Sequence, residues 1–185
     1  MASTNFSKPV LAAIRYLIPA MLLVAALPAQ PPSQRAQDRI TREVRHEILM
    51  TPYFDVFDNV TYKVDGYNVT LMGQVTQPIL KSNMEKAVKG IEGVDKVTNQ
   101  IEVLPVSPND ARLRIALYRA IYGFDSLQRY AMPVIKPIRI LVKNGNVTLE
   151  GVVNSEADKT VIGMRANGIP GIFKMTNNLL VEKGS

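Results

Sequence analysis

The chain has no cysteine, no tryptophan and one histidine among its 185 residues. The lack of cysteine excludes disulfides, thiolate metal sites, a cysteine nucleophile and a lipid anchor on an N-terminal cysteine. A single histidine is too few for a histidine-rich metal site. On a helix His46 also diverges by 100° from its neighbour Glu47, so the two form no acid–base pair. The sequence therefore predicts no enzyme, no metal and no cofactor.

Long apolar stretches are scarce too. Residues 16–27 form an apolar stretch shorter than the roughly 20 residues that span a bilayer, and Pro19 interrupts it. Basic residues precede this stretch and small residues lie at its end: Lys8 and Arg15, then Ala25, Ala26 and Ala29. This order predicts a signal peptide at residues 1–29, cleaved after Ala29 or, as second choice, after Ala26, with a spacer at residues 30–36. A retained membrane anchor is the alternative.

An internal repeat organises the rest of the chain. Residues 64–103 align without a gap with residues 142–181, at an offset of 78, and 15 of the 40 aligned positions are identical. Chance gives only a few identities over such a length, so the sequence indicates a duplication. The predicted modules are residues 37–104 and 110–183, joined by a proline-containing linker at residues 105–109.

The sequence of each module predicts the order helix, strand, strand, helix, strand. Apolar residues recur at i, i+4 and i+8 in the first helix, while the strands show period-two alternation. The apolar stripes of the two first helices are Ile40, Val44 and Ile48, then Leu113, Leu117 and Ile121. The expected fold class is α+β, with two tandem modules in which two helices cover one face of a three-stranded mixed sheet. The glycines at 73 and 151 are expected to leave room for a covering helix.

The repeated residues carry a family pattern: Asn-Val-Thr-Leu-x-Gly-x-Val, a helix, two glycines three apart, and a strand with Thr-Asn. This pattern resembles the BON domain, named for bacterial osmotically inducible and nodulation proteins. The resemblance covers about residues 36–104 and 110–183, although the second copy has five extra residues between its first helix and first strand. It implies a periplasmic protein that binds phospholipid membranes rather than catalysing a reaction, with roles in envelope integrity and osmotic stress. The resemblance does not identify any ligand-binding residues in this sequence.

Charge differs between the two copies. Residues 30–106 contain nine basic and ten acidic residues, and residues 107–185 contain eleven and six, which gives net charges of −1 and +5. A basic second module favours an acidic partner such as an anionic membrane, although a solvated basic surface has the same composition. Residues 90–93 and 168–171 match the GxxG loop of RNA-binding domains, but here the loop joins a helix to a strand and lacks basic residues. No nucleic-acid partner is expected.

The first helix of the second copy provides the candidate site. At 100° per residue its core stripe leaves an opposite face with one aliphatic and two aromatic residues, bordered by arginines. The predicted lipid-binding residues are Arg112, Arg114, Ile115, Tyr118, Arg119 and Tyr122. Aromatic rings and guanidinium groups suit a membrane interface. The alternatives are a protein–protein or cell-wall scaffold with possible self-association, or a helix buried on both sides against the first module or a second chain.

Overall fold

The structure, a computed structural model, describes residues 34–182. The predicted signal peptide and its cleavage site lie outside the described residues. Helix α1 begins at Gln34, inside the segment of residues 30–36 that the sequence predicts to be a spacer. None of the helices within residues 34–182 is both long and apolar enough to cross a bilayer.

The first module follows the predicted order of elements. These are α1 (Gln34–Met50), β1 (Asn59–Asp65), β2 (Asn68–Val75), α2 (Pro78–Lys89) and β3 (Lys96–Val103). Strand β2 lies in the centre of the sheet, antiparallel to β1 and parallel to β3. The two residues of the hairpin loop are Gly66, with a φ of 63°, and Tyr67.

The second module repeats this order with two additions. Its elements are α3 (Pro108–Tyr122), a 3-10 turn (Asp125–Leu127), α4 (Gln128–Ala131), β4 (Ile138–Lys143), β5 (Asn146–Val153), α5 (Glu156–Asn167), β6 (Lys174–Asn177) and β7 (Leu180–Val181). Strands β6 and β7 both pair in parallel with β5, one after the other, so together they replace the single last strand of the first module. The α+β class with two tandem modules and mixed sheets is confirmed.

Each module has its own apolar core between its helices and one face of its sheet. The predicted stripes of α1 and α3 lie in these cores, and none of their six residues is more than 3% exposed. The extra residues before β4 add to the second core, because Leu127 and Tyr130 are buried there. The Tyr130 hydroxyl donates to Asp158 and accepts from the Asn154 N–H. The length of this insertion could be predicted from the repeat, whereas its packing could not.

Gly73 and Gly151 are needed for a different reason from the predicted one. Their φ angles are 124° and 128°, a region that residues with a Cβ rarely adopt. A Cβ on Gly151 would lie 2.0 Å from the carbonyl oxygen of Pro137, and one on Gly73 would lie 2.1 Å from that of Asn59. The neighbouring strand, not a covering helix, therefore excludes a side chain at both positions.

Candidate functional site on the first helix of the second module

Helix α3 has a well-defined start that fixes it to the sheet. The Ser107 hydroxyl accepts a hydrogen bond from the Asp110 N–H, and Pro108 occupies the first turn, where its missing N–H costs nothing. Asp110 is fully buried, and its carboxylate accepts from the N–H groups of Asn144 and Gly145, each at 2.8 Å. The amino end of α3 is thereby held against the β4–β5 turn.

Four of the six predicted site residues are exposed. Ile115 is 51% exposed and Tyr118 is 37% exposed, and both Arg112 and Arg119 face solvent. The Arg112 guanidinium donates to the Asn109 side chain at 2.9 Å and lies beside Gly171. These residues form an outward face of two cations and two apolar groups, as the sequence predicted.

Arg114 has a structural role. It is half-buried, and its guanidinium donates to the carbonyl oxygen of Val142 in β4 at 2.7 Å. Burial lowers the pKa of the Arg114 guanidinium, while Asp110 and Asp58 oppose that shift. Its Nε is buried and has no hydrogen-bond partner among the described residues. Arg114 therefore faces the sheet edge rather than solvent.

Tyr122 is misplaced in the sequence prediction, which put it on the outward face. It is 3% exposed, and its hydroxyl donates to the Ile138 carbonyl oxygen at 2.5 Å and accepts from the Ile138 N–H at 3.3 Å. Burial raises the pKa of this hydroxyl. The ring of Phe57, from the first module, lies 6.3 Å from the Tyr118 ring, which lies 5.1 Å from that of Tyr122. The first module thus covers this side of α3, as one of the alternatives anticipated.

Strand β4 is an edge strand, and Ile138, Ile140 and Val142 each have a backbone group that points away from the sheet and has a hydrogen-bond partner. Tyr122 bonds to Ile138 and Arg114 bonds to Val142. Between them, the Ile140 N–H donates to the carbonyl oxygen of Val56 at 2.8 Å. Val56 belongs to the loop before β1 of the first module, yet its side chain is buried in the core of the second.

The same loop makes two further contacts with the second module. Arg139 donates to the Asp55 carbonyl oxygen at 2.8 Å, and its guanidinium lies 4.7 Å from the centre of the Phe54 ring. On another side of the interface Lys143 forms an ion pair with Glu102. The Lys143 ammonium, with help from Gln74, holds the pKa of Glu102 below its ordinary value. The loop of residues 54–57 therefore joins the two modules through both apolar and polar contacts.

Two exposed residues beside the candidate face were missed by sequence reasoning. Phe173 is 82% exposed and packs against Gly145, and its N–H donates to the Gly145 carbonyl oxygen. Lys174 follows it and is also exposed. The repeat held a signal for Phe173, because the aligned residue of the first copy is Asp95. The replacement of an acidic residue by an aromatic one makes the surface of the second module less acidic and more apolar at this position.

The described residues hold no group of three or more histidines and acidic residues that could bind a metal ion. The candidate face carries cations and apolar groups, and such a surface binds anions and apolar chains by contact.

Two solved structures from Chlamydia trachomatis resemble the chain weakly. One is CdsD, described as a structural protein of the Type III secretion system, at 14% identity and a TM-score of 0.29, covering 78% of this chain and 94% of that one. The other is the C-terminal domain of CdsD, at 15% identity and a TM-score of 0.27, covering 77% and 96%. A comparison with curated proteins gives no match.

The BON domain family model matches residues 36–105 and 130–183, more than half of the chain. The second match starts after α3, so the helix that carries the candidate face lies outside it, whereas α1 of the first copy lies inside the first match. Both matches include the repeated strand and glycine pattern. The chain belongs to the BON domain family.

Proposed function

We propose that this protein is an exported envelope protein whose second BON module binds anionic phospholipid surfaces and supports envelope integrity under osmotic stress. BON domains are associated with phospholipid binding and osmotic stress, and they occur in periplasmic proteins. The observation that carries the proposal is the exposed outward face of α3, defined by Arg112, Ile115, Tyr118 and Arg119.

The chemistry of this face suits the headgroup region of a membrane. The guanidinium groups of Arg112 and Arg119 would pair with lipid phosphates, and Ile115 would enter the acyl boundary. Phe173 and Lys174 extend the surface near the amino end of α3 with a further aromatic ring and cation. The net charge of +5 in residues 107–185 adds a long-range attraction to an anionic surface.

The corresponding face of α1 offers a matched control. It exposes Thr41, Arg42, Arg45 and His46, which are polar, and the first module has a net charge of −1. The outward face of each helix carries two arginines, so replacing each pair removes the same charge. Only the second helix combines its arginines with an exposed aliphatic residue and a basic module.

Co-sedimentation of the protein with phosphatidylglycerol-containing vesicles tests the proposal. Replacing Arg112 and Arg119 with Gln should weaken binding more than tenfold and flatten its salt dependence, at about 1 kcal/mol for each surface-proximal arginine. Replacing Phe173 with Ser should weaken binding with little change in the salt dependence. Replacing Arg42 and Arg45 with Gln should have a much smaller effect. Equal effects of the two arginine pairs would contradict an assignment to the second module.

A protein–protein or cell-wall scaffold is the second candidate function. The observation that favours it is the edge of β1, where the Tyr62 N–H has no backbone acceptor outside the sheet within residues 34–182, whereas the aligned Ile140 N–H of β4 donates to Val56. If the protein binds no vesicle of any lipid composition, the membrane function is wrong and the scaffold function takes its place. Export is tested separately by N-terminal sequencing of the protein from envelope fractions, where a chain that begins near Gln30 supports a cleaved signal peptide.

A further inference from the structure

The loop before β4 exposes an unusual run of apolar residues. Val134 is 99% exposed, Met132 is 80% exposed, and Ile135 is about half exposed. The Lys136 ammonium donates to the carbonyl oxygens of Ala131 and Pro133, both at 2.9 Å, so the loop is held in a defined conformation. An ordered apolar loop in solvent is a typical feature of an interaction site.

The repeat shows what the corresponding loop of the first module does. At the offset of 78, Val56 aligns with Val134 and Phe57 aligns with Ile135. The Val56 side chain is buried in the core of the second module, and its carbonyl oxygen accepts from the Ile140 N–H of β4. One copy of the loop is thus inserted beside a β4 edge, while the other copy has no counterpart to enter within the described residues.

The first module contains the matching acceptor. A cleft of about 310 Å³ lies beside β1, lined by Arg45, Ile48, Leu49, Phe54, Asn59, Val60, Tyr62 and Arg139. The aligned positions of the second module include Tyr118, whose ring lies 6.3 Å from that of Phe57, and Ile140, whose N–H donates to Val56.

The backbone of β1 is prepared in the same way as that of β4. Tyr62 pairs with Leu71 as Ile140 pairs with Leu149, so the Tyr62 N–H points away from the sheet, as the Ile140 N–H does. Outside the sheet ladder, no backbone acceptor for the Tyr62 N–H is found in residues 34–182. An uncovered edge strand pairs readily with another chain.

We propose that a second copy of this protein inserts its loop of residues 132–135 into the cleft beside β1. The contact repeats between chains the relation that Val56 and β4 have within one chain. Since the loop and the cleft are different surfaces, the contact is heterologous and extends head to tail into longer assemblies. This inference is independent of membrane binding by α3.

Charge gives this contact a distinct signature. Arg45 and Arg139 line the cleft, and Lys136 follows the inserted loop, so cations lie on both sides. Salt screens repulsion between like charges, and apolar burial is not weakened by it. Self-association should therefore persist or strengthen as salt increases, whereas binding to anionic vesicles should weaken.

Cysteine cross-linking tests the proposal cleanly because the protein has no cysteine of its own. The Ile135–Arg45 pair between chains corresponds to the Phe57–Tyr118 pair within one chain. A variant with both Arg45→Cys and Ile135→Cys should form a ladder of dimers, trimers and larger species on oxidation. A mixture of the two single variants should stop at dimers. The control variant with Arg45→Cys and Met164→Cys, both on exposed helix positions, should stay monomeric.

Sedimentation velocity over a concentration series gives a second measurement that needs no cross-link. Val134→Lys should weaken self-association at least tenfold, because it would place an ammonium group beside Arg45 and Arg139 in the cleft and remove the apolar side chain. Val106→Lys, at a fully exposed position in the connection between modules, should have a much smaller effect. A protein that is monomeric at all concentrations, a ladder from the control pair, or dimers from Ile135→Cys alone would each overturn the proposal.

Discussion

Strands β1 and β4 occupy the same place in two copies of one module, yet their environments differ. Ile138, Ile140 and Val142 of β4 are completely buried, whereas the aligned Val60, Tyr62 and Val64 of β1 are only partly buried. The β4 edge is covered by Tyr122, Arg114 and the Val56 loop, whereas within residues 34–182 no corresponding hydrogen bond reaches the aligned Tyr62 N–H of β1. The two copies therefore share the register of their first two strands, but they differ in the contacts made to the outer edge of the first strand.

The first helices differ for the same reason. Tyr122 aligns with Leu49 and Arg114 aligns with Thr41 when the apolar stripes of α1 and α3 are matched. Leucine and threonine lack the phenol and guanidinium groups with which Tyr122 and Arg114 bond to the β4 edge. Substitutions on one helix face therefore decide whether the adjacent edge is covered or open.

The largest expected effect concerns a feature that the two modules share. Gly73→Val and Gly151→Val should each lower the free energy of unfolding by about 3 kcal/mol or more, because each combines an unfavourable φ with a clash against a neighbouring strand. Urea denaturation measures this. Gly168→Ala, where φ is ordinary and the nearest backbone atom is 3.5 Å from a Cβ, is the control and should change little. Strongly unequal effects at 73 and 151 would show that the modules are less alike than their backbones.

The second prediction separates the two loops. Val56→Ala should lower the free energy of unfolding by about 2 kcal/mol, because it leaves a cavity in the core of the second module. Val134→Ala, the aligned change, should alter it by less than about 0.5 kcal/mol since Val134 is 99% exposed. Thermal unfolding of dilute protein measures both. Equal losses would mean that the 132–135 loop is already buried in solution.

A smaller effect tests the covering of the β4 edge. Tyr122→Phe removes the hydroxyl that bonds to both backbone groups of Ile138, and should destabilise the protein by about 1–2 kcal/mol. Tyr118→Phe should be nearly neutral. Amide hydrogen exchange offers a local measurement, since the Ile138 N–H should exchange faster in the Tyr122→Phe variant. Unchanged exchange there would show that the hydroxyl does not protect the edge.

The smallest expected effect depends on pH and belongs to the second module alone. Burial opposes ionisation of Asp158, but hydrogen bonds from Arg129, Tyr130 and Ser155 outweigh it and hold the pKa of its carboxyl below the ordinary value. A carboxyl with a lowered folded pKa stabilises the protein above its unfolded pKa, and this stability is lost as pH falls through the folded pKa.

The aligned residue of the first module is Leu80, which has no such titration. Asp158→Asn should therefore cost about 1 kcal/mol near pH 7, and the difference from the unchanged protein should shrink as the pH falls below about 4. Melting temperatures from pH 2 to pH 7 measure this. A difference that stays constant over this range would indicate a purely structural effect of the substitution.

Much of the fold could be predicted because it rests on local patterns. The apolar stripes of α1 and α3 and the period-two strands are encoded within a few residues of one another. The repeat fixed two modules of the same kind, since aligned glycines and strand residues impose the same backbone twice. The candidate face could be predicted in part, and Arg112, Ile115, Tyr118 and Arg119 are exposed as expected.

The sequence by itself determined the duplication, the order of elements and which stripe of each helix faces its own sheet, because these depend on periodicity within one segment. Only the tertiary structure decided where Tyr122, Arg114 and Val56 lie, because helix α3 and the loop before β1 meet at the β4 edge from two distant parts of the chain. A helical wheel describes a helix on a single surface, whereas α3 packs against its sheet and the first module at once. Contacts between distant segments have no periodic signature, which is why they escaped a linear reading.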